Sequence, residues 1–192
     1  MSIIEEDQPD PDFDRERFQE AILHVCSLMQ NVREISETKL HKILYYADRE
    51  AYVAFGQPIT GESYIRHKYG PYSEHLKDTL DSLDAKDDLL IREYKNEGVE
   101  LSPKTQKCPQ SFRRADEDRF SEKELQILTR VAREVFAQDT DTVSRESHDI
   151  AWRSVEQFEE IPYDTSYLAV TEPDDSEEVH QWAKDMAEEK DL

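Results

Sequence analysis

Residues 36–72 read SETKLHKILYYADREAYVAFGQPITGESYIRHKYGPY. Ser36 is a good helix N-cap, and Glu37 in the first turn suits the positive helix end. Leu40, Ile43, Leu44, Ala47, Ala51 and Ala54 recur at i, i+3/i+4 spacing, which predicts an amphipathic helix. Gly56 ends it and Pro58 keeps it ended. Three alanines on the stripe make a narrow face that lets a neighbour pack close, so this helix is expected at the centre. Glu62 to Tyr69 then alternates, with Tyr64, Arg66 and Lys68 on one side and Ile65, His67 and Tyr69 on the other. Gly70-Pro71 is read as a break, with a third helix aligning Tyr72, Leu76, Leu80 and Leu83.

On the N-terminal side, Phe18, Ile22, Val25 and Met29 share one helical face, from about Asp14 to Asn31. Residues 1–12, with Pro9, Pro11 and five acids, are expected to form a disordered acidic lead. On the C-terminal side, Leu89 to Tyr94 is a strand candidate. Asn96-Glu97-Gly98 is a turn, and Val99 to Leu101 is the expected return. Ser102 to Gln110 is read as loop, because Pro103 and Pro109 discourage a central strand. Ser121 and Glu124 make a capping box ahead of Leu125, Leu128, Ala132, Val135 and Phe136. A short helix is expected over Asp141–Asp149, leading into Ala151-Trp152, with Ile161-Pro162-Tyr163 extended or irregular. Val179, Trp182 and Met186 predict a last helix. The sum is an α+β domain, mostly helical and compact, with a small antiparallel sheet or hairpin at one edge. Its expected divisions are the lead at 1–12, one domain at 13–170 and an acidic C-terminal helix at 171–192.

Bulk properties narrow the function. The 192 residues carry 45 Asp plus Glu against 24 Lys plus Arg, a formal net charge of −21. This disfavours phosphate-backbone binding and nucleic acid as a partner. The acids are spread over all segments, which favours adaptation to a high-salt cytosol over a dedicated acidic stripe for a basic partner; composition leaves both readings open. No apolar run is long enough to cross a bilayer, so no membrane role is expected. Two cysteines, Cys26 and Cys108, make no disulfide framework, and the chain reads as cytoplasmic.

Reactive motifs do not stand out. The six histidines form no H-E-x-x-H and no close pair with cysteine, so no metal or other cofactor is expected. Ser147-His148 sits in no G-x-S-x-G elbow, and no phosphate-binding glycine loop exists. What does stand out is the tract with Tyr45, Tyr46, Tyr52, Tyr64, Tyr69 and Tyr72 interleaved with Lys39, Lys42, Arg49, Arg66 and Lys68. Tyrosine and arginine are enriched where proteins meet partners. The competing reading is a core edge, its rings buried and hydroxyls wet. Tyr45 and Tyr46 lie about 100° apart on a helix, so at most one points straight inward.

Those same residues resemble the Panacea family, or SocA-like antitoxin domains, which includes a phage-associated branch. Lys39-Leu40-His41-Lys42-Ile43-Leu44-Tyr45-Tyr46-Ala47-Asp48 is similar to its K-L-x-K-L-L-Y-x-A-x helix. Gly56-Gln57-Pro58-Ile59 is similar to its G-x-P-I/L turn, and Lys68-Tyr69-Gly70-Pro71-Tyr72 to its Y-G-P-V segment. Ser147-His148 and Ala151-Trp152 resemble its S-H-x-x-x-W element. Tyr72 and Ala151 depart from the pattern, where a small aliphatic residue and a proline are usual. The resemblance spans about residues 18–170. It implies a non-enzymatic, prophage-associated antitoxin that neutralises a cognate toxin by direct contact, or in one branch delivers it to a protease. Lys39, Lys42, Tyr45, Tyr46, Asp48, Tyr64, Arg66 and Tyr69 are the candidate partner-binding residues. Gly56, Pro58, Gly70, Pro71, His148 and Trp152 are the candidate structural motif. The alternative is a hydrolase or nucleotide-handling enzyme using Lys39, Asp48 and His148, which requires those three side chains to converge.

Overall fold

A computed structural model describes residues 13–28, 35–96 and 104–170. Helix α2 (Glu37–Phe55) runs through its centre, and α1 (Arg15–Leu28), α4 (Glu122–Ala137), α5 (Thr140–Glu146) and α7 (Ser166–Val170) all pack on it. Both ends of α2 are fixed by its sequence. Ser36 accepts a hydrogen bond from the Lys39 amide, and Gly56 closes the helix at φ 73° with its amide on Tyr52 O. Leu40, Ile43, Leu44, Tyr45, Ala47 and Ala51 enter the core, where Phe18 and Ile22 of α1 and Leu128, Val131 and Val135 of α4 also lie. The capping box at Ser121 and Glu124 starts α4. Shorter helices follow: α5 capped by Asp139, α6 (Ile150–Arg153) capped by Asp149, and then α7.

Two antiparallel hairpins complete the fold. The first joins β1 (Tyr64–His67) to β2 (Gly70–Ser73), with His67 opposite Gly70 and a two-residue tip of Lys68 and Tyr69. The expected break at Gly70-Pro71 is thus a strand, and α3 (Leu76–Ala85) begins only after it, without Tyr72. Gly70 at φ 100° turns the chain, a conformation that glycine alone enters freely. Pro71 is tolerated because it faces Arg66, whose amide points the other way, onto Glu159 O at 2.8 Å.

The second hairpin pairs β3 (Leu89–Asn96) with β4 (Lys104–Ser111). Residues 104–110, expected as loop, are therefore a strand. In a two-stranded ribbon each strand is an edge, and Pro109 sits opposite Ile91, whose amide donates outward to Asp84 Oδ1 at 3.1 Å. The expected lead, the return at Val99–Leu101 and the last helix around Trp182 lie outside the described residues.

Candidate functional site: the tyrosine hairpin and its groove

The β1–β2 hairpin stands on α2 through buried polar contacts. Lys42 is buried, and its ammonium donates to Pro71 O at 2.7 Å. One residue earlier, the buried His41 takes the Ser73 amide on Nδ1 at 3.0 Å. Burial pushes the Lys42 ammonium down to about 7. Burial, with Lys42 and His67 beside it, pushes His41 down to about 3, so its ring stays a neutral acceptor. Gly70 fits beneath them with nothing to spare: a Cβ there would lie 2.2 Å from Ser147 Oγ and 2.7 Å from Lys42 Nζ.

The other side of the hairpin leans on α6. Trp152 Nε1 donates to His67 O at 3.1 Å, His148 stacks on the Trp152 ring at 4.0 Å, and the Arg66 guanidinium lies 4.2 Å from that ring's centre. Burial, with Lys42 nearby, lowers the His148 imidazole. Arg66 also donates to Val155 O. Residues 158–161 run along the free edge of β1, with the Phe158 amide on Arg66 O at 2.8 Å and the Ile161 amide on Tyr64 O at 2.7 Å.

The candidate partner-binding residues divide by depth. Tyr45 is 0% exposed, and its hydroxyl donates to Asp149 Oδ2 at 3.2 Å. Tyr64 is buried and donates to Asp48 Oδ2 at 2.7 Å. The buried Asp48 also takes the Thr60 amide at 2.8 Å and the Thr60 hydroxyl at 2.5 Å. Burial pushes its carboxyl up, and these donors oppose that rise. Lys39 donates to Gln138 O at 2.7 Å and Phe136 O at 3.3 Å, the open carbonyl end of α4. Tyr46 and Arg66 are half-buried, and Tyr69 at the tip is 61% exposed. Of the motif residues, Gly56 and Pro58 shape the turn after α2, while Gly70, Pro71, His148 and Trp152 meet around the hairpin base.

Lys39, Asp48 and His148 do not converge. Nine residues of helix put Lys39 and Asp48 about 13 Å apart and roughly half a turn out of phase. Lys39 closes α4, Asp48 holds the loop at Thr60, and His148 stacks on Trp152. Among the described residues, no three His, Cys, Asp or Glu side chains gather as a metal set.

What the arrangement does present is a rim of rings over an open groove. Tyr72 lies 4.2 Å from His41 and 5.5 Å from His67, and His67 lies 6.3 Å from Tyr69 and 5.9 Å from Phe158. Phe158 is 63% exposed yet sits at φ 73°, an uncommon state for a bulky residue. The groove below, about 890 Å³, runs between the hairpin, the start of α2 and the start of α5. Glu37, Asp139 and Asp141 line its helix side. His41, His67 and Phe158 were absent from the candidate residues. The alternation of Ile65, His67 and Tyr69 puts His67 beside the tip, but nothing local marks Phe158.

A family model for the antitoxin SocA-like, Panacea domain matches residues 40–153, and the chain belongs to that family. The match runs from Leu40 in α2 through the end of α6 and includes Lys42, the β1–β2 hairpin and Trp152. No curated protein and no solved structure matches the chain. Among the described residues, no helix is long and apolar enough to cross a membrane.

Proposed function

We propose that this protein neutralises a cognate toxin by direct protein–protein contact in the cytoplasm, with the β1–β2 tip and its groove as the contact surface. The observation that carries this reading is the exposure of Tyr69 at the tip of a hairpin whose base is locked from both sides, with the exposed Phe158 on the strip beside it. A partner meeting preorganised rings loses little entropy in ordering them. In this reading Tyr69 and Arg66 touch the toxin, and Tyr46, which lines the cleft between α2 and α4, does not. Lys39, Lys42, Tyr45, Asp48 and Tyr64 act from beneath by fixing the shape of that surface. The family membership supports a protein partner and a non-enzymatic role.

The test is coexpression with the product of the adjacent reading frame. The expected result is restored growth and a complex that copurifies. Tyr69→Ala should weaken that complex by roughly 30-fold, the loss of a hot-spot ring worth about 2 kcal/mol. Rescue accompanied by disappearance of the toxin would point to delivery to a protease instead. A non-toxic neighbour with no copurifying partner would end the proposal.

A further inference from the structure

On the other flank of α2, a buried guanidinium has one nitrogen without an acceptor among the described residues. Arg49 is 6% exposed. Its Nη1 donates to Thr165 Oγ1 at 3.1 Å, and its guanidinium lies 5.0 Å from the Tyr45 ring centre. Both partners are neutral. Nη2 is buried and finds no acceptor among the described residues. Neither does the buried hydroxyl of Ser166, at the start of α7. A buried N–H or O–H left unpaired costs as much as a lost hydrogen bond, and more where the group is charged. Two of them lining the same cleft is a pattern that a bound acceptor explains.

Arg49 and Ser166 both line a cleft of about 460 Å³ between α2, α4 and the α6–α7 region. Val53, Val131 and Val135 form its apolar wall. Its polar rim includes Glu50 and Glu134, which share Arg130, and Asp149, which takes the Tyr45 hydroxyl and the Trp152 amide. Arg49 Nη2 can only donate and the Ser166 hydroxyl can donate, so an occupant that satisfies both must supply acceptors. One is a guanidinium nitrogen, so a carboxylate is the natural complement. The surrounding carboxylates reject a second negative charge. We propose that this cleft binds a single carboxylate on a short branched apolar stem, one oxygen on Arg49 and one on Ser166. This site is independent of the toxin-contact surface.

The test is titration of the full chain with 3-methylbutanoate, read by NMR at the Arg49 side chain, the Thr165 and Ser166 amides and the three valine methyls. Saturable shifts confined to those groups are expected, with 3-methylbutanamide at least tenfold weaker and inorganic phosphate without effect there. Ser166→Ala should weaken binding about tenfold, as expected for one hydroxyl hydrogen bond to a charged carboxylate, worth about 1.5 kcal/mol. Arg49→Gln should abolish it; should that variant fail to fold, Ser166→Ala decides. A short peptide ending in leucine, with a free or an amidated C-terminus, identifies the source. Preference for the free peptide assigns the group to a chain terminus, and preference for the small acid assigns it to a metabolite. Equal binding of acid and amide, scattered shifts, or full affinity in Ser166→Ala would overturn the proposal.

Discussion

The two hairpins have the same secondary structure and opposite constructions. The β3–β4 ribbon is eight residues on each strand, and its described base is held by the Arg113 guanidinium on Glu20 at 2.8 Å and on Asp88 at 3.1 Å. The β1–β2 hairpin has four residues on each strand and would be marginal as an isolated ribbon. It is held instead by Lys42 and His41 from below, Trp152 from the side, and residues 158–161 along its edge. Ladder length stabilises one, and buried side chains from distant segments stabilise the other. A short ribbon made rigid in that way can carry an exposed tyrosine at a fixed position.

The largest expected effect comes from filling the space under the short hairpin. Gly70→Ala meets both a positive φ and the Ser147 and Lys42 side chains, and should cost about 4 kcal/mol, combining backbone strain with overpacking. Urea unfolding measures it, and a loss below about 1 kcal/mol would show that the base yields easily. Trp152→Ala removes the stack on His148, the bond to His67 O and the Arg66 contact. It should cost about 3 kcal/mol and release amide exchange in β1 while leaving β3 protected.

Acidity probes the junction between the short hairpin and α3. Glu62 is fully buried, and its Oε1 takes the His75 amide at 3.1 Å and His75 Nδ1 at 3.2 Å. Burial pushes its carboxyl up to about 7. A folded pKa above the unfolded one means the native state binds the proton more tightly. The associated stability is complete below about pH 4.5 and is lost as pH rises through about 7. Glu62→Gln should therefore gain about 2 kcal/mol on the native chain at pH 8 and nothing at pH 4, by thermal melts at both values. An equal effect at both would refute the assignment. In the long ribbon, Arg113→Ala removes half-exposed ion pairs and should cost only about 1 kcal/mol, with faster exchange confined to β3 and β4. The smallest change is Tyr69→Ala, which should move stability by less than about 0.5 kcal/mol even where partner binding is lost.

Local chemistry was readable wherever it was self-contained. Ser36, Gly56 and the Ser121–Glu124 box set helix ends with partners a few residues away, and the α+β class follows from those ends. Gly70-Pro71 misled because the pair looks like a stop. Whether Pro71 can sit in a strand depends on which way Arg66 points, and Glu159 decides that. Pro109 misled for the same reason, through Asp84 and Ile91. The charged positions of α2 were the hardest. A helix covered on nearly every side buries Lys39, Lys42, Asp48 and Arg49 along with its leucines. Their acceptors and donors come from α4, β2, Thr60 and Thr165, far along the chain. A single sequence shows the charge and leaves its partner unspecified.

The strip at 158–161 has a consequence for biosynthesis. While a ribosome is still making the chain, β1 has one edge bare, and it stays bare until Ile161 has emerged. A nascent chain halted before Phe158 would offer that naked edge to other strands, which makes such fragments prone to aggregate and to clearance. The hairpin thus acquires its second covered edge only once Ile161 has left the ribosome.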